Sequence, residues 1–121
     1  MSLMKVLVVD DSLIVRKVVS RFLDEIGYTC LSAASGGEAL DMIRNETMKF
    51  MVLDLHMEGM TGFELMEAIL EEGLDIPVIV LTADLQDQSK EKAGELGAKA
   101  YLQKPFNKTE FQTVIEHVAK L

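Results

Sequence analysis

Residues 5–12 read Lys-Val-Leu-Val-Val-Asp-Asp-Ser. Four consecutive apolar residues behind a single lysine suit a short strand covered on both faces, and the paired aspartates mark where the chain leaves it. Similar short runs recur at Thr29–Ala33, Phe50–Leu53, Pro77–Leu81 and Ala100–Leu102, at intervals that fit a strand, a helix and their two loops.

Helical patterns fill the gaps. Over Leu13–Ile26 an apolar stripe of Val15, Val18, Val19, Phe22 and Ile26 opposes Arg16, Lys17, Ser20, Arg21 and Asp24. Three later helices open with a capping-box pattern, at Ser35…Glu38, Thr61…Glu64 and Asn107…Glu110, in which side chains satisfy the first open backbone N–H groups. Gly27, Gly73 and Gly97 fall where three helices should stop. The stretch 87–96 carries the weakest helical pattern. The last helix starts near Lys108, with Phe111, Val114, Ile115 and Val118 facing inward.

The order is therefore βαβαβαβαβα in one domain over residues 4–121. Parallel strands need crossovers, and right-handed crossovers place helices on both faces of an open, doubly wound sheet. In such α/β folds the ligand site lies at the carboxyl ends of the strands, near a switch in strand order.

Bulk properties bound the function. In 121 residues, 20 acidic groups outnumber 12 basic ones, for a formal charge of −8. Direct binding to nucleic acid or insertion into an anionic membrane is disfavoured, while cations and basic partners are favoured. The single cysteine, Cys30, cannot form an internal disulfide and reads as a buried structural thiol. No apolar stretch approaches the length of a membrane helix and no signal-peptide pattern opens the chain, so a cytoplasmic protein is expected.

The carboxyl ends carry the chemistry. The first strand ends in Asp10-Asp11, the third in Asp54, the fourth in Thr82 and the fifth in Lys104; the second ends in Ala33-Ala34 and bears nothing reactive. Converging carboxylates repel one another and call for a hard divalent cation with oxygen ligands. A lysine and a threonine beside them can hold phosphoryl oxygens, and a carboxylate can serve as the nucleophile, giving an aspartyl phosphate. Each residue alone has a bland reading as a cap, a strand end or a solvated side chain; the joint placement does not.

These residues carry a resemblance. Val8-Val9-Asp10-Asp11-Ser12 with Arg16, Asp54-Leu55-His56-Met57-Glu58-Gly59-Met60-Thr61-Gly62, Leu81-Thr82-Ala83 and Lys104-Pro105-Phe106 together resemble the receiver domains of two-component response regulators, most of all the single-domain, CheY-like kind. The resemblance spans Met4 to Leu121. It implies a flavodoxin-like five-stranded sheet in the order 2-1-3-4-5, with Asp54 as phosphoacceptor. Asp10, Asp11, Asp54 and the backbone carbonyl of His56 would bind Mg2+ (or Mn2+). Lys104 and Thr82 would hold the phosphoryl group, and Thr82 and Tyr101 would act as the switch. The Lys104-Pro105 peptide would be cis. The implied partners are a sensor histidine kinase or phosphotransfer protein and a downstream protein target. The target would meet the face of the fourth helix, fifth strand and fifth helix, on a monomer or a phosphorylation-dependent dimer.

Two departures matter. The loop after the phosphoacceptor usually reads Met-Pro-x-Met in this family, and here Glu58 replaces the proline. His56 and Asp84 occupy positions that in relatives help to set phosphoryl lifetime. Rival readings fit less well. An aspartate-nucleophile phosphohydrolase wants a second aspartate where His56 stands. A flavin-binding module wants a hydroxyl- and glycine-rich first loop in place of Asp10-Asp11-Ser12, which would repel a phosphate without metal. A pseudo-receiver that only binds partners would not need the complete acidic set.

Overall fold

A computed structural model describes residues 4–83 and 86–120. Five strands, β1 (Lys5–Val9), β2 (Thr29–Ala33), β3 (Phe50–Asp54), β4 (Val78–Thr82) and β5 (Ala98–Gln103), alternate with five helices. The helices are α1 (Leu13–Glu25), α2 (Gly36–Asn45), α3 (Gly62–Glu71), α4 (Asp87–Glu95) and α5 (Lys108–Ala119). All pairings are parallel and the strand order is β2-β1-β3-β4-β5, as expected of the doubly wound sheet.

The two-residue period of the strands divides the core. On one face Leu7, Val9, Met51 and Leu53 pack with Ala39, Leu65, Met66 and Ile69 of α2 and α3. On the other, Val6, Val8, Phe50, Val52, Ile79 and Leu81 pack with Val19 and Leu23 of α1 and Phe111 and Ile115 of α5. Every residue of β3 and β4 is buried, which explains their unbroken apolar runs. Phe22, Phe106 and Phe111 meet with ring centroids 5.6–6.1 Å apart and lock α1 to α5.

Gly27, Gly73 and Gly97 take φ of 99°, 69° and 104° just past their helices, the left-handed stop the sequence implied. The Lys104-Pro105 peptide is cis.

Several local expectations need correction. β4 begins at Val78 because Pro77 has no N–H for the ladder, although its carbonyl still accepts from Met51 N at 2.9 Å. β3 extends one residue, to Asp54, and β5 is longer at both ends than Ala100–Leu102. On α1, Val18 is 40% exposed, and the fully buried pair is Val19 with Leu23, one turn apart. The capping boxes of α3 and α5 are complete, but that of α2 is half formed: Ser35 Oγ accepts from Glu38 N while Glu38 Oε1 takes Ala34 N instead. Glu72 pairs with the Arg44 guanidinium and ties α3 to α2, with Arg44 Nε to Glu72 Oε1 at 2.7 Å. Cys30 is only partly buried, with its thiol 3.2 Å from Ser20 Oγ; burial raises its pKa, as Asp24 does more weakly, against that hydrogen bond. Among the described residues no helix is long and apolar enough to cross a membrane.

Candidate phosphoryl and cation site

The ends of β3 and β4 and the residues just past β1 and β5 build the site. Ser12 caps α1 by accepting from Val15 N, which turns the chain sharply after β1 and leaves Asp10 and Asp11 at the sheet edge. Asp10 is 1% exposed. Its Oδ1 accepts Ser12 N at 2.9 Å, and its backbone carbonyl accepts Arg16 Nη1 at 2.8 Å. Asp54 closes β3 at 5% exposure, with Oδ1 accepting His56 N at 3.2 Å. Asp11 is exposed, and its Oδ2 accepts the Glu58 backbone N–H at 3.4 Å.

Lys104 joins the cluster from β5. Its backbone N–H donates to Thr82 O at 2.8 Å, which fixes the end of β5 against that of β4. Its ammonium lies 3.0 Å from Asp10 Oδ2 and 3.5 Å from Asp54 Oδ2. Carboxylate oxygens of Asp10, Asp11 and Asp54 all lie within 4.8 Å of one another. One ammonium cannot neutralise three such groups. Burial first, then the Asp10 charge, push the Asp54 carboxyl above its ordinary pKa, against the opposing pull of the His56 N–H and Lys104. An all-oxygen set with surplus negative charge is the chemistry that holds a hard divalent cation, so the residues present fit Mg2+ or Mn2+.

The sequence-predicted residues separate into groups. Asp10, Asp11, Asp54 and Lys104 meet at one point. Thr82 is fully buried at the neighbouring end of β4. The His56 side chain is exposed beside Asp54. Tyr101 lies away from the cluster on β5, where its hydroxyl donates to the Lys90 carbonyl of α4 at 3.0 Å and its ring lies 5.4 Å from Lys90 Nζ. Asp84 lies outside the described residues.

Gly62 was quoted in a motif but given no role. A Cβ there would sit 2.5 Å from the Asp54 carbonyl oxygen and 2.7 Å from Leu55 Cα, so only glycine lets α3 start against the strand end that bears Asp54. A glycine directly after the Thr61 cap was the available signal. Arg16 was placed on the polar face of the first helix and in a motif, but its bond to the Asp10 carbonyl depends on a side-chain path that no spacing rule gives.

The model of the response regulator receiver domain matches residues 6–116. The chain is 33% identical to chemotaxis protein CheY of Pseudomonas aeruginosa, covering 95% of each. It is 39% identical to the probable transcriptional regulator ycf27 of Porphyridium aerugineum, covering 96% of this chain and 48% of that protein. The chain thus spans about half the length of several curated relatives it matches. The structure of Vibrio cholerae chemotaxis protein CheY4 superposes with a TM-score of 0.91 at 33% identity, covering 97% of this chain and 99% of that one.

Proposed function

The chain belongs to the response regulator receiver domain family, and from that premise we propose that Asp54 is the residue through which it receives its signal. A receiver domain is a phosphorylation switch in two-component signalling. What is proposed here is which residues of this chain perform it. The observation that carries the reading is the packing of Asp10, Asp11, Asp54 and Lys104 into one cluster of mutually repelling carboxylates under a single ammonium.

In this reading a phosphohistidine on a sensor histidine kinase or phosphotransfer protein is the donor. One Asp54 oxygen forms the new P–O bond as the donor's N–P bond breaks, and that electron pair leaves with the imidazole. Asp54 must be ionised to attack, and Lys104 favours that state while offering its charge to a phosphoryl oxygen. Mg2+ (or Mn2+), held by Asp10, Asp11, Asp54 and the His56 carbonyl, would supply the positive charge that phosphoryl transfer demands. Thr82 would hold a second phosphoryl oxygen. Tyr101, bonded to α4, would carry the change to the face of α4, β5 and α5, where a downstream protein target binds a monomer or a phosphorylation-dependent dimer. Water attack at phosphorus, with the Asp54 O–P bond breaking and inorganic phosphate leaving, would reset the switch, with the exposed His56 side chain beside the approach. The cytoplasm is the compartment in which such a kinase-fed switch works.

The test is labelling by a small acyl-phosphate donor with Mg2+. The parent should gain one phosphoryl group by mass spectrometry, and Asp54→Asn should stay unlabelled. An Asp54→Asn protein that labels as well as the parent removes Asp54 from its role.

A further inference from the structure

The loop after Asp54 departs from its family at Glu58, and the departure creates a hydrogen-bond donor that proline cannot supply. We infer that the Glu58 backbone N–H is a positioning group for the cation site, holding the Asp11 carboxylate in a binding arrangement before any cation arrives. This rests on the reading of Asp10, Asp11 and Asp54 as that site.

The three carboxylates are held very unequally. Asp10 is buried and fixed by Ser12 N and by Lys104 Nζ. Asp54 is buried and fixed by His56 N and by Lys104 Nζ. Asp11 is exposed and lies beyond the ammonium, and among the described residues its side chain has one partner, the Glu58 N–H at 3.4 Å. Among the described residues nothing else opposes its tendency to swing into water, away from two like charges. Yet its oxygen stays within 4.8 Å of the others.

A carboxylate oxygen has lone pairs enough to accept an N–H and still ligate a cation. The bond therefore does not compete with binding. It reduces the ordering that binding would otherwise require. Because the bond is long, its effect is modest. Removing it should weaken Mg2+ binding by about threefold, below the full worth of a hydrogen bond to a charged group. The Glu58 carboxylate, one more exposed negative charge beside the site, acts in the same direction, so the two contributions must be separated.

Direct Mg2+ titration of the unphosphorylated protein by calorimetry separates them. Glu58→Ala removes the charge and keeps the N–H; Glu58→Pro removes both. Affinity should fall in the order parent, Glu58→Ala, Glu58→Pro, with the second step about threefold. Equal affinity in the Ala and Pro variants would overturn the inference. Should the proline variant fold poorly, amide exchange in the metal-free parent decides: the Glu58 amide should be protected, and Asp11→Ala should abolish that protection. Protection unchanged in Asp11→Ala would equally refute it. Asp11→Ala also serves as the control for the site. If it binds Mg2+ as the parent does, the site assignment itself is wrong. If it loses binding while Ala and Pro at position 58 agree, only the role of the N–H is lost.

Discussion

Replacing Asp54 with asparagine should make the metal-free protein more stable. Asparagine keeps the shape and an oxygen for His56 N, and removes one charge. At an effective dielectric of about 20, Asp10 opposes an ionised Asp54 by about 3.5 kcal/mol or more, since their oxygens lie within 4.8 Å of each other. Lys104, 3.5 Å away, returns about 4.7 kcal/mol on the same scale. Asp11 is exposed and screened by water, adding about 1 kcal/mol of repulsion. The attraction at best cancels the repulsion, so the cost of keeping a charged group at 5% exposure is left uncompensated. A gain of about 1–2 kcal/mol follows for Asp54→Asn at neutral pH, or a Tm higher by roughly 4–10 °C for a domain of this size.

The gain has a pH signature. Asp54 has a raised pKa in the folded protein, so the folded state holds a proton that the unfolded chain releases. Parent stability from this group is fully present below the ordinary carboxylate pKa and is lost as pH rises through the higher folded value. The advantage of Asp54→Asn should therefore be largest at neutral pH and fade toward about pH 4. Thermal melts followed by circular dichroism in a chelator, at several pH values, measure it. Excess Mg2+ should raise the parent more than the variant and narrow the gap. A variant that melts below the parent at neutral pH, or a gap that does not change with pH, would refute this reasoning.

Gly62→Ala should destabilise the fold by about 1–3 kcal/mol, because its Cβ must displace the Asp54 carbonyl or Leu55 Cα rather than a flexible side chain; denaturant melts give the loss, and acyl-phosphate labelling should slow in the same variant as the strand end shifts. Phe111→Ala, at 1% exposure and in contact with Phe22 and Phe106, should cost about 3–5 kcal/mol by the same melts.

The fold was readable because its signals are redundant. β1, β3 and β4 are buried on both faces, so their apolar runs are nearly unbroken, and Gly27, Gly73 and Gly97 stop helices by backbone geometry that few other residues tolerate. Four site groups were readable because the carboxyl-end rule depends on topology and not on side-chain detail: Asp10, Asp11, Asp54 and Lys104 needed only strand ends. What stayed hidden was the support around them. The half-formed box at Ser35 arises because Glu38 finds Ala34 N instead of Ser35 N, a choice between adjacent donors that spacing cannot resolve. Val18 and Val19 lie about 100° apart on α1, and the buried centre falls on the Val19 side, toward Leu23, which the five-residue stripe left out. Arg44 finds Glu72 across a gap of 28 residues, a contact created by the packing of α2 on α3.

The fourth helix has a different kind of anchorage from its neighbours. Among the described residues Ala93 is its one buried residue and no side chain caps its start. It is held from the rim, by the Tyr101 hydroxyl on the Lys90 carbonyl, the Lys90 ammonium 5.4 Å from the Tyr101 ring, and the Lys92 ammonium 4.6 Å from the Phe63 ring. One neutral hydrogen bond and two exposed cation–π contacts together come to about 2–3 kcal/mol. Prying this helix loose is therefore inexpensive beside unfolding the domain, typically about 5–15 kcal/mol. It is also well below the roughly 5.5 kcal/mol needed to invert a 1:99 population. A protein built this way carries its most easily shifted segment on the outer flank of β5, fastened by aromatic rings that a single substitution can release.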